Sequence, residues 1–133
     1  MTKLEMKSIA RVYKNNGQHA EQVFRFTVTG EIVKADNKPA ELGGDCFDIQ
    51  IKSARATVCK GRDIDAYLAL DAAQRYAYVN ADFTVAYIMS KAEWKAFVLA
   101  FGTVCRESAK NGGAEKIRLG HETKAMREWL ERA

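Results

Sequence analysis

The stretch Gly43-Gly44-Asp45-Cys46-Phe47-Asp48-Ile49-Gln50-Ile51-Lys52-Ser53 decides how the chain is read. In extended backbone successive side chains point to opposite faces, so Phe47, Ile49 and Ile51 fall on one side and Asp48, Gln50 and Lys52 on the other. This alternation predicts a strand within Phe47 to Val58 that has one apolar and one polar face. The polar face sets an amide oxygen, Gln50, beside an ammonium, Lys52. A hard cation such as Mg²⁺ takes carboxylate or carbonyl oxygens as ligands, and a lysine on the same face can stabilise charge building on a phosphate under attack. The plain alternative is that Gln50 and Lys52 form the solvated face of an antiparallel edge strand.

Upstream, Thr2 and Glu5 have capping-box spacing and Leu4, Met6, Ile9, Val12 and Tyr13 can form one stripe, which predicts a helix ending at Asn15-Asn16-Gly17. The segment Gln18 to Thr29 reads both as strand and as helix; the helix is favoured, with Gly30 as its stop. Asp36, Asn37, Lys38, Pro39, Gly43 and Gly44 read as a connecting loop or a hairpin. Downstream, Cys59 to Arg62 is a turn and Asp63 caps a helix lined by Ile64, Tyr67, Leu68 and Ala72. Tyr76 to Val79 and Phe83 to Met89 suggest a hairpin around Asn80 to Asp82. Ser90 and Glu93 repeat the capping-box spacing before a helix with Trp94, Phe97, Val98 and Phe101 on its core face, stopped by Gly102. A polar loop from Ser108 to Gly113, a short edge strand from Ile117 to Leu119 and a helix carrying Met126, Trp129 and Leu130 complete the chain. The expected fold is α/β (α+β), a central mixed β-sheet flanked by helices in a single domain spanning 1–133.

Composition agrees with one folded domain: 133 residues, 47% hydrophobic and 29% charged, with nine glycines and a single proline, exclude fibrous and disordered classes. No apolar run approaches the ~20 residues that cross a bilayer, and the first residues carry Lys3, Glu5 and Lys7 without an apolar signal region. Three cysteines, Cys46, Cys59 and Cys105, are odd in number and lack a C-x-x-C pair or neighbouring histidines. That pattern argues against a disulfide framework or a zinc site and suits buried thiols in a reducing cytoplasm. The net charge of +4 is compatible with a polyanionic partner without demanding one. His19 and His121 are isolated and read as capping or surface residues. Trp94, Phe97, Phe101 and Trp129 sit at core spacing, not as a base-stacking platform.

With the Gly-Gly-Asp opening and Gln50-Ile51-Lys52 in place, the chain resembles the PD-(D/E)XK nuclease superfamily, whose signature is an acidic residue followed by an acid-x-Lys strand. The resemblance covers roughly Gly17 to Leu70, within one short motif and its element order. Glutamine in place of the second carboxylate is a variant of some branches and removes one negative charge from the metal site. The resemblance implies a restriction-endonuclease-like fold and a metal-dependent DNA endonuclease using Mg²⁺ or Mn²⁺. Asp45 and Gln50 would be the metal ligands, Lys52 would stand beside the attacking water, and Glu21, in Gly17-x-x-x-Glu21, would support them. Asp36, farther upstream, is the alternative to Asp45, while Asp48 is in line with Gln50 on one strand. Ser53, Arg55, Lys60 and Arg62 extend from Lys52 as a phosphate-contact track. For a chain of this size the resemblance implies a phage or mobile-element setting, and cutting both strands of a duplex is easiest for a two-fold homodimer. Two rivals are a nucleic-acid-binding module with a degraded site, and a protein-interaction or inhibitor domain of a mobile element.

Overall fold

The computed structural model describes residues 1–11, 13–31 and 48–133. Asp36, Asp45 and the Gly43-Gly44 pair therefore lie outside the described residues. In chain order the elements are β1 (Thr2–Glu5), α1 (Asn16–Thr29), β2 (Ile49–Ser53), β3 (Thr57–Lys60), α2 (Ile64–Leu70), β4 (Arg75–Val79), β5 (Val85–Ser90), α3 (Lys91–Phe101), β6 (Gly102–Arg106), β7 (Glu115–Leu119) and α4 (Lys124–Arg132). Among the described residues these form an α+β protein. A mixed four-stranded sheet has the order β1-β5-β4-β2, and an antiparallel three-stranded sheet has the order β3-β7-β6. β2 runs parallel to β4, with Gln50 opposite Tyr76 and Lys52 opposite Tyr78.

Alternation along β4 and β2 divides the core between the two faces of the first sheet. Ile49, Ile51, Ala77, Val79 and Ala86 share one face with Ala20 and Phe24 of α1. Tyr76, Tyr78 and Met89 share the other with Trp94 and Phe97 of α3, Leu119 of β7, and Met126 and Leu130 of α4. The caps read from the sequence hold: Asp63 accepts from Ala66 N, and Ser90 with Glu93 closes a capping box. Asn15, expected to end a helix, instead caps α1 by accepting from Gln18 N, and Thr123 caps α4 by accepting from Met126 N. Gly30 adopts the left-handed conformation that ends α1, at φ 76°, as the favoured helical reading requires. The hairpin β4–β5 also stands where its pattern placed it.

Four expectations are corrected. Thr2 to Glu5 form a strand, not the start of a helix: β1 pairs antiparallel with β5, and Leu4 and Met6 pack two residues apart on the α1-side core. The strand expected within Phe47 to Val58 stops at Ser53, because Arg55 takes the left-handed region at φ 66° and turns the chain out of the first sheet. Cys59 lies in β3 and not in a turn. Ile117 to Leu119 belongs to β7, the middle strand of the second sheet and not an edge, paired on both sides by β3 and β6.

Gly102 ends α3 as expected and also begins β6 directly. A Cβ at this position would lie 2.7 Å from Val98 O and 3.0 Å from Ile117 Cγ2, so the helix end and the second sheet meet where only a glycine fits. Gly102→Ala is expected to cost about 1–3 kcal/mol, the usual cost of overpacking. Urea unfolding checks this, and an unchanged midpoint would contradict the close approach.

Tyrosine hydroxyls tie the first sheet to the C-terminal region. Tyr78 donates to Glu122 Oε1 at 2.7 Å and Tyr87 to Glu131 Oε1 at 2.5 Å. Burial first, and then the facing carboxylate, push both phenols well above their ordinary range. The protonated phenol is the form the fold favours. This contribution is therefore complete below the unfolded value of about pH 10 and is lost as the pH rises toward the folded values. Urea stability is expected to fall as the pH rises above about 10, and Tyr78→Phe to flatten that fall. Equal slopes for the two proteins would remove Tyr78 as the cause.

Candidate functional site

Gln50 and Lys52 project from β2 away from the buried pair Ile49 and Ile51. Both are half-buried, so the polar face of this strand is not open to water along its length. It meets a cavity of about 880 Å³ whose wall runs from Lys52 through Thr57 to Asp63 and across α2 at Ala66, Tyr67, Leu70 and Asp71. The Tyr67 hydroxyl donates to Gln50 Oε1 at 3.0 Å. Lys52 Nζ donates to the Thr57 carbonyl oxygen at 3.0 Å. The amide oxygen and the ammonium therefore lie next to each other along one face, each held by a neighbouring element.

Tyr67 stands between Gln50 and a carboxylate. Burial, followed by the negative charge of Asp71, outweighs the opposing effect of the Gln50 bond and pushes its phenol up to about 12. It stays a donor at neutral pH and keeps the Gln50 oxygen directed toward α2. Asp71 ends α2 and accepts from the Tyr76 hydroxyl at 2.5 Å. Lys91 Nζ donates to the carbonyls of Leu68 at 2.7 Å and Asp71 at 3.0 Å, which fixes the C-terminal end of α2 against α3. Cys59 is buried in the cavity wall, and burial pushes its thiol up, away from a nucleophilic thiolate.

The other sequence candidates are distributed around this cavity. Lys60 and Arg62 line it with Lys52. Arg62 is engaged with Glu115, donating from Nη2 to Oε1 at 2.7 Å and from Nε to Oε2 at 2.8 Å. Arg55 and buried Ser53 do not line this cavity. The left-handed turn at Arg55 places them on a separate groove with Asn16, Asn80 and His121. The track of four cations is thus split in two. Glu21 rides on α1, which covers the face of the sheet opposite Gln50 and Lys52. Asp48 is taken by Arg75, which donates to both carboxylate oxygens and holds the acid below its ordinary range. His19 is buried, not on the surface: its ring meets Phe83 edge-on at 4.7 Å, and burial, then the charge of Arg11, lowers its basicity.

Among the described residues no three His, Cys, Asp or Glu side chains cluster to hold a metal ion. The Asp71 carboxylate in the cavity wall and Gln50 Oε1, behind Tyr67, are oxygens of the hard type that suits Mg²⁺. Closing such a site takes a further carboxylate, and Asp36 and Asp45 lie outside the described residues. Tyr67 and Asp71 were not singled out for the site from the sequence; the spacing of Ile64, Tyr67 and Leu68 signals a buried helix face, and nothing local signals the bond to Gln50. No helix among the described residues is long and apolar enough to cross a membrane. Compared with protein-family models, with curated proteins and with solved structures, the chain matches none.

Proposed function

We propose that this protein is a metal-dependent nuclease of restriction-endonuclease-like fold that hydrolyses phosphodiester bonds in DNA. The observation that carries the reading is the placement of Gln50 and Lys52 on one face of β2, with the Gln50 oxygen held by Tyr67 and Lys52 lining the cavity that Lys60 also lines. Asp45, with Asp36 as the alternative, and Gln50 would hold Mg²⁺ or Mn²⁺, whereas Glu21, on the helix that covers the opposite face of the sheet, stands apart from that site. When bound, the ion would supply an activated water and Lewis-acid stabilisation of phosphate charge. Lys52 places its ammonium beside the scissile phosphate and balances the charge that develops there. Tyr67 keeps the Gln50 oxygen oriented, and Lys60 holds a neighbouring phosphate.

A second reading, nucleic-acid binding without cleavage, is favoured by one specific observation. Gln50 is neutral and its oxygen already accepts a hydrogen bond from Tyr67, which weakens it as a cation ligand relative to a carboxylate. Incubation of supercoiled, linear and branched DNA with Mg²⁺, Mn²⁺ or EDTA separates the readings. Metal-dependent cutting that disappears in Lys52→Ala supports the nuclease. Salt-sensitive binding without cutting supports the second reading. Absence of both binding and cutting overturns the two together and leaves a protein-interaction domain.

A further inference from the structure

We propose that the cavity between β2, β3 and α2 takes an unpaired nucleotide of single-stranded DNA, its phosphate against Lys52 and Lys60 and its base against Tyr67 and Leu70. The inference deepens the proposed function and rests on it for the chemical class of the ligand. At about 880 Å³ the cavity lies within the range of roughly 300–1,000 Å³ that encloses small ligands. A base inside a duplex is stacked on both faces and cannot enter such a recess, whereas an unpaired base can.

The lining divides in the same way as a nucleotide. Lys52 and Lys60 stand on the strand side, while Val58, Ala66, Tyr67 and Leu70 supply apolar surface. The two carboxylates of the wall have internal partners: Asp63 accepts from Ala66 N at 3.0 Å and Asp71 from the Tyr76 hydroxyl at 2.5 Å. Arg62 is engaged with the carboxylate of Glu115, whereas Lys52 donates to a neutral acceptor, the Thr57 carbonyl oxygen, and lines the cavity with Lys60. Leu70 is 88% exposed, an unusual position for a leucine on a helix end that Lys91 clamps through the carbonyls of Leu68 and Asp71. It is an apolar rim of the cavity, and a base entering the cavity would cover it. Tyr67, anchored by its hydroxyl on Gln50, presents its ring as a wall of settled orientation.

The test is binding in EDTA, where no metal-dependent cutting occurs. A short single strand carrying 2-aminopurine at its centre is compared with the blunt duplex of the same sequence, by anisotropy and by 2-aminopurine emission. The single strand is expected to bind at least about 10-fold more tightly than the duplex and to change its emission on binding. Leu70→Asn, at an exposed position, is expected to remove most of that preference and the emission change while leaving duplex binding unaltered. Lys60→Ala is expected to weaken both ligands and reduce the salt slope by about one. Equal affinity for the two forms, a preference for duplex, no binding of either, or a single-strand affinity unchanged in Leu70→Asn overturns the inference. Cleavage without strand preference sinks this assignment alone, and preference without cleavage sinks the nuclease reading alone.

Discussion

Lys52→Ala is expected to lower metal-dependent DNA cleavage about 100- to 1,000-fold, the loss that accompanies removal of one preorganised group facing transition-state charge. Lys52 is half-buried as a residue, and a charge beside low-dielectric protein interacts with a developing phosphate charge more strongly than one in open water. In the folded protein the Lys52 ammonium donates to the carbonyl oxygen of Thr57, on a half-buried strand face. Truncation should therefore leave the thermal midpoint near that of the parent. Lys52→Arg should not restore the rate, because a planar guanidinium is larger and spreads its charge over a different geometry. Single-turnover cleavage at saturating Mg²⁺, with thermal unfolding of each variant, separates lost chemistry from lost folding. Full activity in Lys52→Ala would place the chemistry on other residues.

Trp94→Ala is expected to destabilise the protein by about 3–5 kcal/mol, the usual cost of deleting a large buried aromatic ring. Trp94 is fully buried, stacks on Tyr76 with ring centres 5.3 Å apart and meets Phe97 at 5.6 Å. It therefore joins α3 to the first sheet. Phe97 in turn meets Phe101 and Trp129, at 5.5 Å and 5.4 Å, so the cavity would open in the middle of an aromatic cluster with little freedom to collapse. Domains of this size have only about 5–15 kcal/mol in total, and the loss would take a large share of it. Trp94→Phe should cost much less: it keeps a ring in place and removes an indole N–H that has no hydrogen-bond partner among the described residues. Far-UV circular dichroism in urea is the measurement, since the substitution alters tryptophan emission directly. Near-parent stability of Trp94→Ala would mean that the stack on Tyr76 contributes little.

How much is legible in the sequence depends on the distance over which each interaction acts. Caps are local, so Asp63, Ser90 with Glu93, and Gly30 mark their helix ends correctly. β1 reads as a helix because its hydrogen bonds go to β5, far along the chain, while Thr2 and Glu5 happen to have capping-box spacing. β6 leaves no signal because Thr103 and Val104 are both exposed and break any alternation. β7 acquires its middle position only through strands remote from it in sequence. At the site, alternation places Gln50 and Lys52 on one face, and proximity along the chain points to Lys60 and Arg62. The division of the cationic track comes from the left-handed backbone at Arg55, for which the side chain gives no warning. Tyr67 reaches the cavity through a bond between elements distant in the chain.

The direct passage from α3 into β6 at Gly102 leaves no slack between a helix and a sheet. One residue added there would rotate the downstream strand by about 100° relative to α3 and reverse which strand faces look inward. Length variation is consequently barred at this junction, whereas the surface turn Ala109–Asn111, whose residues are all exposed, can lengthen at small entropic cost. Insertions and deletions during divergence should collect in that turn and spare the junction.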